Sequence, residues 1–363
     1  MYISLLLCYF VIIFSYMLLY LCIGLSVFLS LVSMPVIITF CKHFKLFDYQ
    51  NARKIHSGDI PRLGGIGIIL SFLISVSLYL ILSKDISFSK HFPLILAITI
   101  IFIFAIIDDI INLPAYIKLI IQLIAVSIVC FNGYRFTTFF GFSLPPVLSF
   151  IITFGWILGL INAYNLIDGL DGLCGSLSLI TILTFGILFS YSNNEVSEIC
   201  FILVAAIFGF LCFNWPPAKL FMGDNGSQTL GFIIAVIPLY TSNDVFEYNK
   251  ILIVITLTAL PLFDMIAAIW RRLRDKKPIM SPDRSHLHHK LLNLGYSSKS
   301  SLLMMVSLQI LICVSIVISY YLGNKKGTAL LLELLCFIIL FFSIVHFSNR
   351  NKIKSQDIEK TQN

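Results

Sequence analysis

The sequence predicts an all-α, polytopic transmembrane bundle of about eleven spans, in a single domain over residues 1–347 followed by a short polar tail at 348–363. Three observations predict it. Of 363 residues, 58% are hydrophobic and 12% charged, whereas water-soluble domains carry roughly 25% charged residues. The apolar residues gather in repeated runs of near-spanning length. Lys and Arg concentrate in alternate loops between those runs, as the orientation of membrane helices requires.

The first charged residue is Lys42. Residues 1–41 therefore lack the basic start of a cleaved signal peptide and read as an uncleaved anchor. At 1.5 Å per residue this run exceeds one bilayer core. It is read as one span in its C-terminal half, preceded by an interfacial or extra helical stretch. Further spans are expected near 66–83, 92–107, 115–131, 147–161, 175–191, 199–213, 226–245, 251–270, 301–322 and 328–347. The segment starting near Gly226 has the weakest apolar signal.

Sorting the basic residues by loop tests this count. One side holds Lys42, Lys45, Arg53, Lys54, Arg62, Lys118, Lys219, the eight of residues 271–300 and the four of the tail, which is 19 of 25. The other holds Lys84, Lys90, Arg135, Lys250, Lys325 and Lys326. The positive-inside rule makes the richer side cytoplasmic, with the N-terminus outside and the C-terminus inside. Orientation accounts for the net charge of +7, so no nucleic-acid partner is expected. The nine cysteines are odd in number and form no CxxC pair. They read as small core residues, neither a disulfide framework nor a metal site.

The polar motifs fall on the cytoplasmic side. They are Arg53 to His56; Arg62 with Gly64 and Gly65; Asp108 and Asp109; the run Asn162 to Leu173 containing Asn165, Asp168 and Asp171; Phe221 to Ser227 with Asp224; and Asp283 to His289 with Arg284, His286, His288 and His289. The outer loops Ser192 to Glu195 and Thr241 to Asp244 read as plain polar turns. Asp residues crowded at the ends of apolar helices repel one another unless a cation shares the site. Mg²⁺ suits carboxylate and amide oxygens and keeps positions open for phosphate, so a metal-bridged diphosphate is expected, with Mn²⁺ as a substitute. The turn at Gly223 to Ser227 reads as a helix N-terminus whose free amides favour an anion, or as a capped helix start. The histidine spacing does not match a zinc helix. Lys118 and Gln122, four residues apart, face either a lipid headgroup or a neighbouring helix. Asp264, inside an apolar run, is expected to support the site, and Glu333 to meet the interface or a partner helix.

Together these motifs resemble the polyprenyl-phosphate N-acetylhexosamine-1-phosphate transferases, bacterial membrane enzymes that begin cell-envelope polysaccharides such as O-antigen and wall teichoic acid. The resemblance covers about residues 42–296. It rests on Asp108 and Asp109 with Lys118 and Gln122, on Asn165 to Leu173, on Phe221 to Ser227, on Pro261 to Asp264, and on Asp283 to His289. The sister phospho-N-acetylmuramoyl-pentapeptide transferases carry a Thr-Pro-Thr-Met-Gly-Gly loop and three adjacent histidines. This chain reads Ile60-Pro61-Arg62-Leu63-Gly64-Gly65 and His286-Leu287-His288-His289 there, which favours the hexosamine branch.

The resemblance implies transfer of a HexNAc-1-phosphate, GlcNAc-1-phosphate foremost, from a UDP-sugar to undecaprenyl phosphate with release of UMP. It implies a site on the cytoplasmic face of the bacterial inner membrane. Asn165 and Asp224 then look like the Mg²⁺ ligands. Asp108, Asp109, Asp168 and His286 join Asp224 as catalytic residues. Phe221 looks like the uracil platform, with Asp171 beside the nucleoside. Arg284, His288 and His289, with Arg62, look like the diphosphate and sugar clamp, and Lys118 a further substrate contact. A phosphate monoester with a second pKa near about 6 is already ionised at neutral pH, so charge neutralisation and positioning matter more than a general base. The sequence is compatible with a homodimer. The rival from another class, a transporter of an anionic solute, would place its polar groups near mid-membrane.

Overall fold

The computed structural model describes residues 2–48, 60–83, 88–191, 195–240, 249–278, 281, 283 and 285–362. Arg53 to His56, Arg284 and the turns 192–194 and 241–244 lie outside the described residues. The protein is an all-helical, multi-pass membrane bundle. In chain order come α1 (Tyr2–Phe44), α2 (Gly64–Leu82), α3 (Phe88–Ile111), α4 (Ala115–Phe131), α5 (Pro146–Ile167), α6 (Leu173–Ser190), α7 (Val196–Asn214), α8 (Asp224–Val236), α9 (Lys250–Leu257), α10 (Ala259–Arg274), α11 (Leu287–Asn293) and α12 (Ser298–Gln362). Two short antiparallel pairs complete it, Phe47–Asp48 with Ile60–Pro61 and Thr138–Phe139 with Phe142–Ser143.

Among the described residues, each of the eleven apolar segments contains helix, and eight helices are long and apolar enough to cross a membrane, or nine counting the bent pair α9 and α10. α1 is one continuous helix whose apolar window is Ser15–Phe44. α12 breaks at Gly323 into two arms, and its helix runs on through the polar tail to Gln362.

The weak signal near Gly226 has a packing explanation. α8 spans 13 residues and is buried from Asn225 to Val236, packed against α2, α3, α5 and α6. A helix enclosed by protein needs no uniformly apolar surface, so it accommodates Ser227, Gln228 and Thr229. Its flanking helices bring the ends of the chain's motifs together around its N-terminus.

α2 approaches that N-terminus through glycines. A Cβ on Gly65 would lie 2.2 Å from the Gly226 nitrogen and 2.2 Å from Asn225 Oδ1. The approach is held by Gly64 N–H donating to the Phe221 carbonyl at 2.9 Å and Gly65 N–H to that of Met222 at 2.8 Å. Gly65→Ala is therefore expected to cost about 1–3 kcal/mol through overpacking, read as a lowered thermal midpoint in detergent, with Gly24→Ala, which meets nothing within 4 Å, unchanged.

The 77° bend between α9 and α10 also follows from residues. Pro261 has no N–H to return to the Leu257 carbonyl, and the hydroxyls of Thr256 and Thr258 bond back to Leu252 and Val254 at 2.7 Å each, which further favours bending. Gln309 of α12 takes up the released carbonyl, donating Nε2–H to Leu257 at 2.9 Å. Elsewhere Ser26 and Ser30 of α1 donate to the Ile202 and Ala206 carbonyls of α7 at 2.8 and 2.7 Å, small polar contacts that join helices where apolar packing alone gives little preference over lipid.

Candidate active site

The N-terminus of α8 is capped from another helix. Asp109, on α3, accepts the backbone N–H of Asp224 at 3.1 Å, that of Asn225 at 2.8 Å, and the Asn225 side-chain amide at 2.6 Å. A carboxylate there satisfies orphan amides and meets the positive end of the helix dipole. This corrects the sequence reading of that turn as an anion site: the Asp224 and Asn225 amides are occupied, and those of Gly226 and Ser227 turn back to the Gly223 carbonyl. A local cap by Asp224 or Ser227 is also not what forms. Arg62 joins the same point, its guanidinium donating to the Asp109 carbonyl.

Asp108 faces a different set of partners. Its Oδ1 accepts the Leu113 N–H at 2.8 Å, and its Oδ2 meets Lys118 Nζ at 2.5 Å. Lys118 also reaches Asp224 Oδ2 at 3.5 Å, so one ammonium stands between two carboxylates. Asp224 is the hub. Its Oδ1 accepts from Asn165 Nδ2 at 2.9 Å and its Oδ2 from Gln228 Nε2 at 3.0 Å. Asn165 donates as well to Ser227 Oγ at 3.1 Å. Gln122 extends the network to Gln228 and Asn162, which answers the either-or posed for it: it faces neighbouring helices. A small pocket of about 10 Å³ opens beside Asp108, Lys118, Gln122 and Gln228, with Ile101, Phe104 and Ile121 as its apolar wall.

Among the described residues no three His, Cys, Asp or Glu side chains converge closely enough to hold an ion. The donors able to do so are the Asp224 carboxylate, one-third exposed, and the Asn165 amide beside it. That set fits Mg²⁺, which takes one or two protein oxygens and leaves its other positions to water and phosphate.

The loop after α5 packs beside the strand-like stretch before α8. Asp168 follows the last residue of α5 and is half-buried. Asp171 Oδ2 accepts the Ala218 N–H at 3.0 Å. Asn214 ties the two stretches, accepting from Gly172 N–H at 2.9 Å and donating to the Leu220 carbonyl at 2.8 Å. Phe221, half-buried, pairs through its backbone with Arg62.

The histidine loop is anchored on α10. Asp264 accepts His286 Nδ1 at 2.8 Å and the Leu287 N–H at 2.8 Å, which sets the His286 ring with Nδ1 as donor. His288 stacks parallel to His286 at 5.9 Å and lies 4.3 Å from the His289 ring. It presses on the α5 loop, since a Cβ on Gly169 would sit 2.6 Å from its Nε2. This contact brings the histidine loop to the Asn165–Asp171 run. Asp283 is clasped by Arg271 at 2.5 and 3.0 Å. Burial would raise the Asp283 carboxyl, yet Arg271 and the Ser285 amide hold it below its ordinary value.

Neither ring nitrogen of His288 has a hydrogen-bond partner among the described residues. Burial, with His289 beside it, pushes its pKa down from 6.5 to about 3. The unfolded chain then takes up a proton below pH 6.5 that the folded chain refuses. Stability from this group is present above 6.5 and is lost as pH falls toward 3, by up to about 1.4 kcal/mol per pH unit. Thermal unfolding across that window is expected to show the slope, and His288→Leu to flatten it.

Asn225, Gln228 and Asn214 are site residues that motif reading passed over. Gln228 had a signal, since it stands four residues after Asp224 on one helix face. Asn225 and Asn214 bond to groups distant in sequence or within a loop, and no local pattern marks them.

Fold and site together define a multi-pass membrane protein with a carboxylate, amide and histidine centre at one end of its bundle. Residues 91–242 match the model of glycosyl transferase family 4. A Bacillus subtilis (strain 168) protein named as a probable undecaprenyl-phosphate N-acetylglucosaminyl 1-phosphate transferase is 31% identical over 329 residues, covering 87% of this chain and 88% of its own. The undecaprenyl-phosphate alpha-N-acetylglucosaminyl 1-phosphate transferase of Escherichia coli O157:H7 is 29% identical, covering 84% of each chain. The decaprenyl-phosphate N-acetylglucosaminephosphotransferase of Mycobacterium leprae (strain TN) is 31% identical, covering 70% of this chain and 72% of its own. The chain belongs to glycosyl transferase family 4, among the polyprenyl-phosphate N-acetylhexosamine-1-phosphate transferases.

Proposed function

We propose that this protein transfers a HexNAc-1-phosphate, GlcNAc-1-phosphate foremost, from a UDP-sugar to undecaprenyl phosphate, releasing UMP and beginning a cell-envelope polysaccharide. One observation carries the reading: Asp108, Lys118, Asn165 and Asp224 form a single charged cluster bordered by the apolar side chains of Ile101, Phe104 and Ile121. A lipid phosphate must arrive from the bilayer and a nucleotide from water, so their meeting point needs both surfaces. The names of the curated relatives support the same reaction.

In this reading the lipid phosphate oxygen bonds to the β-phosphorus of the UDP-sugar as the bond from that phosphorus to the UMP oxygen breaks. Asp224 and Asn165 would hold Mg²⁺, which neutralises diphosphate charge when bound. Lys118, steered by Asp108, lends a further positive charge to the phosphates. His286, oriented by Asp264, keeps Nε2 for a phosphate or sugar oxygen. Arg284, His288 and His289 complete the clamp, with Phe221 and Asp171 toward the nucleoside. The eleven-crossing topology, with the N-terminus outside, the C-terminus inside and the site on the cytoplasmic face of the inner membrane, follows from the Lys and Arg distribution.

Incubating the purified protein with undecaprenyl phosphate and a panel of UDP-sugars is expected to release UMP with UDP-GlcNAc and to lose that release on chelation. Mg²⁺ is expected to restore it, and Mn²⁺ to substitute. UMP release unchanged by chelation would remove the metal from the proposal, and none with any UDP-HexNAc would remove the reaction.

A further inference from the structure

A second cavity, of about 440 Å³, lies between α10, α11 and the second arm of α12. Its lining changes chemistry along its length. On α10 the apolar Phe263, Ile266 and Trp270 recur at helical spacing and lead to Arg274, the last residue of that helix. On α12 the apolar Ile339 and Phe342 lead in the same way to His346. Ile266 and Trp270 are half or more exposed, as is Ile339, so the apolar length opens to the surroundings of the bundle. The polar end carries Arg271, Arg274 and Lys290.

Lys290 is the informative group. It is 3% exposed, lines the cavity, and its ammonium makes neither a hydrogen bond nor an ion pair among the described residues. A buried ammonium without an acceptor is costly. Asp264 and Asp283 lie near enough to offset part of that cost, but neither is its partner: Asp264 is bound to His286 at 2.8 Å and Asp283 to Arg271 at 2.5 Å. The lining carries three cations and no carboxylate, which suits an anionic headgroup, and the apolar length open to the surroundings suits the chain attached to it.

We propose that this groove binds one anionic glycerophospholipid of the surrounding bilayer, its phosphodiester on Lys290 and Arg274 and an acyl chain along Ile266, Trp270 and Ile339. The site is separate from the Asp224 centre and does not depend on the transfer reaction. Lys290 follows His289 directly, so an occupied groove braces α11 and, through it, the histidine loop.

Native mass spectrometry of the full-length protein, purified with phosphatidylglycerol or with phosphatidylcholine, tests this directly. One phosphatidylglycerol per chain is expected to survive detergent removal, and phosphatidylcholine is not. Lys290→Met and Arg274→Gln are each expected to weaken retention by about tenfold, as loss of one charge-assisted contact does. Arg274, with a side chain 58% exposed and paired among the described residues with its neighbour Asp275, serves if the Lys290 variant does not fold. Equal retention of the two lipids, or unchanged retention by Arg274→Gln, would overturn the proposal. So would displacement of phosphatidylglycerol by equimolar undecaprenyl phosphate, which would make the groove the acceptor's.

Discussion

Asp224→Asn is expected to lower UMP release by about 10²–10³-fold or more, the loss typical of removing one preorganised electrostatic contact at a reacting phosphate or oxyanion. The substitution keeps size and shape but reverses hydrogen-bond character on one side of the group. Asp224 accepts from Asn165, Gln228 and Lys118, all donors, and an amide would turn an NH₂ toward one of them. The negative charge that would hold the cation is lost as well. Steady-state assay of UMP together with thermal unfolding in detergent separates the two effects, and a variant that retains turnover would sink the assignment of Asp224 as a metal ligand.

The second large effect concerns its neighbour in space. Asp109→Ala is expected to destabilise the fold far more than Asp108→Ala, although the two stand side by side. Asp109 is 5% exposed and accepts three N–H groups at the start of α8. Its removal leaves buried donors without acceptors, at about 1–3 kcal/mol for each such group. Asp108 serves one backbone amide and the half-buried Lys118, so its loss is expected to fall on activity. Thermal midpoints of both variants, with hydrogen exchange at the Asp224 and Asn225 amides, measure the contrast. Equal midpoints would show that the cap contributes nothing to stability.

The helical nature of the bundle was legible because lipid and packed protein leave the same mark, long apolar runs with polar residues at the ends. The surroundings and bending of individual helices were less so. α8 is read from sequence as a weak span because periodicity does not separate a helix buried in protein from one facing lipid, and its Ser227, Gln228 and Thr229 belong to the former case. α9 and α10 read as one continuous span, while Pro261 and the Gln309 contact bend them by 77°.

For the site, motif spacing brought out Asp108, Asp109, Asn165, Asp224 and the histidines as chemistry-bearing residues, because isolated polar groups stand out against an apolar background. It did not divide the labour among them. The expectation that crowded carboxylates demand a metal arose from the scarcity of Lys and Arg within the motifs. Folding supplies other partners: the α8 N-terminus for Asp109, Lys118 for Asp108 and Asp224, the His286 N–H for Asp264, and Arg271 for Asp283. Except for Lys118 with Asp108, each of these partners comes from outside the motif it serves.

By itself the sequence determined that this chain is a membrane-embedded helical protein with its chemistry confined to helix ends, since the cost of burying charge in lipid leaves polar side chains few other places. Only the tertiary structure decided which carboxylate caps a helix, which pairs with an ammonium and which is left open toward a ligand. Those roles depend on distances between residues as far apart as Asp109 and Asn225 or Asp264 and His286, and a helix end can be matched to its counter-charge only when both are in place.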